Sequence, residues 1–493
     1  MSADAILSID AGTTGITALV VDTGARVVAR GYREFPQHFP ADGRVEHDLG
    51  EMWAATLSAT AEALSQTDLT VRAVGITNQR ETVCFWDRET LGAPRRAIVW
   101  QDRRTAALCE SYAAAGHSAR VEELTGLRLD PYFSGTKIAW VRENDPTTWA
   151  QVLSGRVAIG TVDSYLIARM SRGVSHVTDG TNASRTLLYD LGTGDWSDEL
   201  CTLFGVPREA LPQITPSYGT LAHTDPTVFL GLDVPIAGVA GDQQAALVGQ
   251  GGFTVGAAKC TYGTGSFLLV HTGQQAPRST HGLLTTVALA HPDGHRDYAL
   301  EGSVFVTGAA IQWLRDGLGI IDSAAESETL AASVNDSGGV VFVPALTGLG
   351  APDWDPTARG LIIGITRGTT RAHIARAALE AIAFQVADVV ALMGAEGGVP
   401  LARLAIDGGA AANDLLCQLQ ADALQLPVDR AAELQTTGLG AAFLAGLGTG
   451  LWPSFEALAA TRHSSGTFMP GSADPGAQAR WRSAVERSKA WAT

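Results

Sequence analysis

Near the start of the chain, the pattern of hydrophobic and polar positions predicts two short strands joined by a tight turn. Residues 6–10 are apolar up to a final aspartate, and residues 16–22 are rich in β-branched side chains. Between them stands the segment Ala11-Gly12-Thr13-Thr14-Gly15. Glycine favours such turns because it adopts backbone conformations that other residues avoid. We therefore predict a strand–turn–strand hairpin here.

A similar pattern returns in the middle of the chain. Residues 257–271 again place a polar glycine-rich turn, Tyr262-Gly263-Thr264-Gly265, between two apolar segments. Two hairpins of one design predict two domains of related plan. We place the boundary in the glycine-rich stretch 249–254, which divides the chain into domains at 1–249 and 250–493.

Between and after the hairpins, predicted strands alternate with predicted helices. The strands are residues 71–77, 235–240 and 404–406, and the helices are residues 242–249, 372–393 and 413–424, with a further helical stretch after Arg103 and a surface helix after Gly471. Alternation of this kind predicts α/β domains.

The composition narrows the class of protein. Apolar residues make up 46% of the 493 residues and charged residues 17%, which is typical of a globular enzyme with room for two cores. The formal net charge of -16 argues against nucleic acid as a partner, because phosphate backbones require a basic face. A nucleotide can still bind where magnesium, backbone amides and helix N-termini supply local positive potential.

Cysteine spacing and the N-terminal sequence bear on the compartment. The five cysteines stand singly and predict neither a disulfide framework nor a zinc site. The start lacks a basic segment followed by an apolar one, and no apolar run approaches the roughly 18 residues of a membrane span. We expect a cytoplasmic protein without membrane insertion.

Three glycine-rich turns could approach phosphate groups. In the first, Gly12 lets the backbone come close, Thr13 and Thr14 offer donors, and Asp10 could hold hydrated magnesium. The second is Gly263-Thr264-Gly265. The third is Asp407-Gly408-Gly409-Ala410, followed by Asn413, whose side chain could bind a nucleotide. Each turn taken alone is equally typical of an ordinary hairpin or strand–helix connection.

Polar residues at strand ends suggest recognition of hydroxyl groups. Arg80-Glu81 follows one predicted strand, Asp242-Gln243 follows another, and Tyr132 lies in a loop. A polyol needs fixed acceptors, fixed donors and an apolar wall. Two other interpretations stay open, because Arg80-Glu81 could be a solvated surface pair and Asp242 could be a helix N-cap.

Taken together, these motifs resemble the FGGY carbohydrate kinases, a family of the actin/Hsp70/sugar-kinase superfamily. Their order along the chain is Asp10-x-Gly-Thr-Thr, Gly241-Asp-Gln-Gln, Gly263-Thr-Gly and Asp407-Gly-Gly-Ala. Residues 132–144 resemble the first family signature and residues 360–380 the second. Within the family, the chain is most similar to members that phosphorylate glycerol, over nearly its whole length. The supporting stretches are 75–82, 98–101, 130–137, 178–186, 240–246, 311–316 and 344–352.

The resemblance implies a fold and an activity. The fold would be two actin-like (ribonuclease H-like) α/β domains flanking a catalytic cleft. The activity would be phosphorylation of glycerol to sn-glycerol 3-phosphate by ATP and Mg²⁺, the entry step of glycerol catabolism. Family members often form dimers or larger homo-oligomers, so we expect one here.

The resemblance also implies roles for single residues. Asp242 would be the general base, and Asp10 and Asp242 would hold Mg²⁺. The polyol would contact Arg80, Glu81, Trp100, Tyr132, Asp242, Gln243 and Phe267. The nucleotide would contact Gly12, Thr13, Thr14, Thr264, Gly308, Gln312, Gly409 and Asn413.

Two positions depart from the family pattern, and so does a regulatory segment. Ala11 stands where glycerol-phosphorylating members commonly have Gln, and Thr17 where they commonly have an Arg that reaches the nucleotide phosphates. Residues 220–233 contain no Lys or Arg, and Val228 occupies the place of a phosphorylatable His in some members. We predict that neither fructose bisphosphate nor the sugar phosphotransferase system controls this protein.

Two alternatives remain at this level. The chain could be an FGGY kinase for another small polyol or ketose, or a catalytically inactive nucleotide-dependent sensor of the same fold. A substrate panel distinguishes among them.

Overall fold

The computed structural model describes residues 4–472 and 474–492 of the chain. In the first half the strands are β1 (Asp4–Ala11), β2 (Gly15–Asp22), β3 (Val27–Glu34), β4 (Glu46–His47), β5 (Thr70–Asn78), β6 (Cys84–Asp87), β7 (Ala97–Ile98), β8 (Val157–Gly160), β9 (Val177–Asp179), β10 (Tyr189–Asp190), β11 (Asp195–Trp196), β12 (Gln213–Thr215), β13 (Tyr218–His223) and β14 (Pro235–Gly241). The helices there are α1 (Leu49–Leu64), α2 (Ala106–Ala114), α3 (Ser118–Thr125), α4 (Ser134–Asn144), α5 (Pro146–Leu153), α6 (Val162–Met170), α7 (Gly180–Ala183), α8 (Asp198–Phe204) and α9 (Asp242–Gly249).

The second half repeats the mixed α/β character. Its strands are β15 (Ala258–Tyr262), β16 (Ser266–Gly273), β17 (Leu284–Ala290), β18 (Arg296–Val304), β19 (Val341–Val343), β20 (Leu361–Ile363), β21 (Leu404–Asp407), β22 (Val428–Ala431) and β23 (Ser464–Phe468). Its helices are α10 (Gly308–Asp316), α11 (Glu326–Ala332), α12 (Arg371–Gly397), α13 (Asp414–Leu424), α14 (Thr436–Gly448), α15 (Phe455–Ala459) and α16 (Pro475–Ser488). Short 3₁₀ turns cover Arg208–Ala210 and Gly409–Ala412.

Two large sheets form the cores of the two halves. The first has six strands in the order β13-β14-β5-β1-β2-β3, and the second has seven in the order β17-β18-β16-β15-β21-β22-β23. In each, an antiparallel hairpin lies beside a parallel strand: β1–β2 beside β5, and β15–β16 beside β21. Both predicted hairpins are therefore present, and the two sheets share one plan.

The two halves meet at a pair of helices, α9 and α14. Helix α14 comes from the second half of the sequence, but Leu439 and Phe443 share a core cluster with Ile6 and Leu19 of the first sheet. A Cβ atom on Gly440 would collide with the backbone of α9, so glycine permits the close crossing. The domain division at residues 249 and 250 stays a prediction.

Helix α12 is the longest apolar element. By length and composition Arg371–Gly397 is apolar enough to cross a membrane, which the sequence analysis missed, and it is the only such helix within residues 4–472 and 474–492. Of its most apolar window, 61% is buried, and its side chains belong to the core of the second sheet. Burial in this core accounts for the apolar composition.

Two predicted helical regions differ in detail from the structure. The helical stretch after Arg103 is two helices, α2 and α3. The predicted surface helix after Gly471 is α16, and it is anchored rather than superficial, because Trp481 is 1% exposed and donates a 2.8 Å hydrogen bond to Asp388 Oδ2.

Candidate active site

The predicted polar residues converge at one edge of the first sheet. Strands β1, β5 and β14 are parallel neighbours, and their register aligns Asp10 and Ala240 with Thr77 of β5. The carboxyl ends of parallel strands meet at the same sheet edge. Asp10, the segment following Asn78, and Asp242 at the start of α9 therefore lie side by side.

Arg80 is the centre of this edge, and it is 2% exposed. Its Nε lies 3.1 Å from Asp242 Oδ1, and its Nη1 lies 2.5 Å from Glu301 Oε2. The open interpretation of Arg80-Glu81 as a solvated surface pair is wrong, because Glu81 is 1% exposed. Buried ions at this spacing hold one another in fixed positions, because leaving one unpaired is costly.

Four buried charged residues surround this point, and we call them the buried charge cluster: Arg80, Glu81, Arg185 and Glu301. Arg185 Nε donates to Glu81 Oε1 at 2.7 Å, and Arg185 Nη2 donates to Glu301 Oε1 at 2.8 Å. Burial opposes ionisation of Glu301, but the two guanidinium groups prevail and lower its pKa to about 2. Glu301 thus stays charged at neutral pH.

Glu301 and Arg185 were not among the residues predicted for the site. Glu301 lies on β18 of the second sheet, so the cluster joins the two halves of the molecule. The available signal was a glutamate directly after the apolar run Tyr298-Ala299-Leu300, since a buried charge of this kind requires a partner.

Aromatic side chains form a wall beside the cluster. The rings of Trp100 and Tyr132 meet edge to face with centroids 5.5 Å apart, and Trp100 Nε1 donates to Thr13 Oγ1 at 2.9 Å. The Arg185 guanidinium lies 5.8 Å from the centre of the Tyr132 ring. Trp100 therefore connects the predicted polyol side of the edge to the first phosphate turn.

Asp10 and Asp242 are close enough for their charges to interact. Burial, and then the charge of Asp242, raise the pKa of Asp10 to about 7. Asp242 Oδ1 also accepts the backbone N–H of Gln243, while 31% of the Asp242 side chain stays exposed. Two neighbouring carboxylates, one of them destabilised by burial, fit a divalent cation such as Mg²⁺.

Lys259 links Gln243 of the first half to Phe267 of the second. Lys259, buried on β15, donates to Gln243 Oε1 and to the Phe267 carbonyl oxygen, the latter at 3.3 Å. Burial lowers the pKa of Lys259. Lys259 also went unpredicted, because no motif singled it out.

The predicted nucleotide residues lie mainly on open turns. Gly12 N–H donates to the Gly15 carbonyl at 3.0 Å, and Thr14 is exposed. In the second half Gly308 N–H donates to the Gly263 carbonyl at 3.0 Å, so Thr264 and the start of α10 adjoin each other. A Cβ on Gly308 would stand 2.6 Å from that carbonyl oxygen.

The remaining predicted nucleotide residues differ in their exposure and in their hydrogen bonds. Gln312 is exposed on α10, and Gly409 is exposed with open space around its Cα. Asn413 caps α13, because its Oδ1 accepts the backbone N–H of Leu416 at 2.8 Å. That contact leaves the Nδ2 group as its main free donor, with Ser327 Oγ 3.5 Å away.

Asp407 is less available for chemistry than its motif suggested. It is 1% exposed, and its Oδ2 accepts from Gln250 Nε2 at 2.9 Å and from Thr436 Oγ1. Its bonds run to α14 and to the connection between the halves. Asp407 therefore braces the junction beneath the third turn.

Comparison with known proteins places this site in a family. Residues 5–249 match the N-terminal domain of the FGGY family of carbohydrate kinases, and residues 258–449 match its C-terminal domain. The chain is 53% identical over 491 residues to a glycerol kinase of Gloeobacter violaceus, covering 99% of this chain and 97% of that protein. It is 51% identical over 497 residues to a glycerol kinase of Bordetella parapertussis, with the same coverage.

A solved structure agrees with the sequence relatives. The crystal structure of Plasmodium falciparum glycerol kinase with ADP superposes with a TM-score of 0.93 at 34% identity, covering 99% of this chain and 98% of that one. The predicted fold class of two actin-like α/β domains is thereby confirmed. On the evidence of sequence, fold and site together, the chain belongs to the FGGY family of carbohydrate kinases.

Proposed function

We propose that this chain is an enzyme that transfers the γ-phosphoryl group of ATP to glycerol, giving sn-glycerol 3-phosphate and ADP. The observation that carries the proposal is the 3.1 Å contact at the sheet edge between buried Arg80 and Asp242, whose side chain is 31% exposed. Such a pair fixes a carboxylate while leaving it accessible to a small hydroxyl compound. Relatives named glycerol kinase, at 53% and 51% identity over nearly the whole chain, support this choice of acceptor.

The buried charge cluster supports recognition of a small triol. Glu81 supplies a fixed acceptor and Arg80 a fixed donor, each held by its own partners. Tyr132, Trp100 and Phe267 supply apolar surface for the C–H side. Preformed partners of this kind spare the protein the entropy of ordering them when the polyol binds.

Asp242 is the proposed general base. As the terminal hydroxyl oxygen of glycerol attacks the γ-phosphorus, an O–P bond forms, and the bond from the γ-phosphorus to the β-phosphate oxygen breaks. Asp242 accepts the hydroxyl proton, and ADP leaves with the electron pair of the broken bond. Arg80 orients the carboxylate through its 3.1 Å contact, so the position of the base carries the catalysis.

The nucleotide side is proposed to act chiefly through backbone groups. Gly12, Thr13 and Thr14 would approach the phosphates from the first sheet, and Thr264 and Gly308 from the second. Gln312, Gly409 and Asn413 would bind the rest of the nucleotide. Asp10 and Asp242 would hold Mg²⁺, which supplies charge neutralisation for the transferred phosphoryl group.

A substrate panel tests this function. ADP release is measured with magnesium and ATP for glycerol, dihydroxyacetone, erythritol, xylitol, D-xylulose, L-ribulose and gluconate. We expect kcat/KM for glycerol to exceed every other value. An Asp242→Asn preparation, purified identically, measures the contribution of contaminating kinases. Preference for a larger polyol or a ketose would overturn the acceptor, and no phosphorylation of any compound would support the inactive sensor.

A further inference from the structure

A second polar cluster lies at the opposite end of the second sheet, on the β17–β18 hairpin. His291 directly follows β17, His295 directly precedes β18, and Asp297 lies on β18, in the sequence His291-Pro-Asp-Gly-His295-Arg-Asp297. One ligand atom from each of these three residues lies within 4.8 Å of the others. None of the three has a place in the proposed phosphoryl transfer.

The cluster is separate from the cleft. Asp297 and Glu301 lie on one strand, four positions apart, which corresponds to about 13 Å of extended chain. His271 and Phe267 are spaced in the same way on β16. A ligand at the hairpin would therefore not touch the buried charge cluster.

The backbone fixes the hairpin ends. His291 N–H donates to the His295 carbonyl at 3.0 Å, and Gly294 N–H donates to the His291 carbonyl at 3.0 Å. The two imidazole rings stack with centroids 3.7 Å apart. A tight turn thus carries two imidazole groups on the same side, next to a carboxylate.

Outer contacts hold Nδ1 of each ring, which leaves Nε2 as the nitrogen that could bind a metal. His291 Nδ1 bonds the Tyr218 hydroxyl at 3.0 Å, so its Nε2 faces Asp297 Oδ2 at 3.1 Å. His295 Nδ1 bonds Asp293 Oδ1, which leaves its Nε2 open. Hydrogen bonds to the second ring nitrogen are the arrangement that orients histidine ligands in metal sites.

His271 has a different part in this cluster. Its Nδ1 accepts the backbone N–H of Gly273 at 3.2 Å, so the ring proton is on Nε2, which lies 3.4 Å from Asp297 Oδ2. The Gly273 amide fixes Nδ1 of His271 as an acceptor, so this proton cannot move to Nδ1 and free Nε2 for a metal. The Tyr218 hydroxyl, by contrast, can accept from Nδ1 of His291 and leave its Nε2 without a proton. His271 therefore supports the carboxylate, and the ligand set is His291, His295 and Asp297.

We propose that these three residues bind a late first-row divalent cation of the Zn²⁺ type, with water completing the coordination. Two imidazoles and one carboxylate are donors that Zn²⁺ accepts. Bonds of about 2.1 Å require donor atoms roughly 3.3 Å apart, so binding draws the ligand atoms together by up to about 1.5 Å. His295 can move because 38% of its side chain is exposed. The cation would fasten the hairpin to Tyr218 of the first sheet.

Calorimetric titration of chelator-treated protein with ZnCl₂ tests the proposal. Millimolar Mg²⁺ is present throughout to occupy Asp10 and Asp242. We expect one equivalent to bind and the Tm to rise with Zn²⁺ concentration. The double variant His291→Gln/His295→Gln should lose at least about 100-fold in affinity, and Tyr218→Phe roughly tenfold, because Tyr218 acts only on the outer nitrogen.

A matched control is available in His281. It also pairs with a carboxylate, Glu396 Oε1 at 2.8 Å from Nδ1, but lacks a second histidine. His281→Gln should bind Zn²⁺ as the unaltered chain does. Co²⁺ added in place of Zn²⁺ should give visible absorption bands that the double variant lacks. Absence of stoichiometric binding, or equal binding by the double variant, would overturn the proposal.

Discussion

The polyol side and the nucleotide side of the cleft are built in opposite ways. On the polyol side, Arg80, Glu81, Arg185 and Glu301 are at most 2% exposed and bond to one another before any substrate arrives. On the proposed nucleotide side, Thr14, Thr264 and Gly409 are exposed on turns whose backbone is proposed to contact the nucleotide. The first side is rigid and made of side chains, whereas the second is open and made of main chain.

This difference determines how selective each side is for the compound that it binds. Buried side chains in fixed positions reject a compound whose hydroxyl groups fail to match them, since unmatched buried groups are costly. Backbone amides bind any phosphate of suitable shape. Changes on the first side should therefore alter glycerol kinetics, and changes on the second side should alter ATP kinetics.

The largest expected effect is at Asp242, where the two sides meet. Asp242→Asn preserves the shape of the side chain but removes its capacity to accept a proton, so kcat should fall about 1,000-fold. The equilibrium Kd for glycerol, measured by calorimetry, should change only a few-fold. Asp233→Asn, an exposed aspartate paired with His223, serves as the control. A kcat close to normal would remove Asp242 from the role of base.

The next effect is at Glu301, which balances two buried guanidinium groups. Glu301→Gln should destabilise the fold by about 3 kcal/mol, because Arg80 and Arg185 lose a shared partner. We expect the KM for glycerol to rise roughly tenfold and the KM for ATP to stay within about twofold. Urea unfolding and steady-state kinetics measure the two effects.

Glu380→Gln is the matched control for Glu301. Glu380 pairs with Arg376 at 2.9 Å on α12, with both side chains partly exposed, so its loss should cost little. Equal increases of both KM values in Glu301→Gln would show that the cluster does not belong to the polyol side alone.

The same contrast explains what the sequence could predict. Asp10 lies near the end of a strand, and Arg80 and Asp242 follow strands, so local patterns were enough to single them out. The resemblance to the FGGY kinases then grouped them in one site. Glycine turns are also visible locally, because they need particular residues at particular spacings. These features account for the hairpins and the α/β class, whereas Trp100, Phe267, Gly308 and Gln312 were predicted for the site only through the family resemblance.

Long-range pairing explains what the sequence could not predict. Arg80 and Glu301 are 221 positions apart, and Arg185 and Glu81 are 104 apart, so no spacing rule connects them. The packing of α14 onto the first sheet is likewise invisible until the halves are assembled. Asn413 shows the reverse problem. Its motif predicts a contact with the nucleotide, but its side chain also caps a helix.

On the nucleotide side, Gly308→Ala tests the role of the backbone. The new Cβ would stand 2.6 Å from the Gly263 carbonyl oxygen and push the second turn away from α10. The KM for ATP should rise about fivefold while the Kd for glycerol is unchanged. Gly92→Ala, in a loop where the nearest atom is a side-chain oxygen 3.4 Å away, is the control. A change confined to glycerol binding would contradict the division of the cleft.

At Lys137, beneath the polyol side, the expected effect is on the pH dependence of stability, and the effect on turnover is the smallest. Its buried Nζ donates to the carbonyls of Pro131 and Tyr132 at 2.5 and 2.6 Å, and burial lowers its pKa from 10.5 to about 7. Between pH 7 and pH 10.5, Lys137 carries a proton in the unfolded chain but not in the folded one, so the free energy of unfolding should rise with pH. Below pH 7, Lys137 is protonated in both the folded and the unfolded chain, and the dependence disappears.

Comparison with Lys137→Met isolates this contribution from other groups that titrate. From pH 7 to pH 10, the free energy of unfolding of the unaltered chain should gain about 3 kcal/mol relative to the variant, measured by urea unfolding. Lys489→Met, which removes a partly exposed lysine paired with Asp353, should track the unaltered chain. A constant difference across this range would mean that Lys137 stays charged when buried. Its three carbonyl contacts would then hold the Tyr132 loop as an ion rather than as a neutral amine.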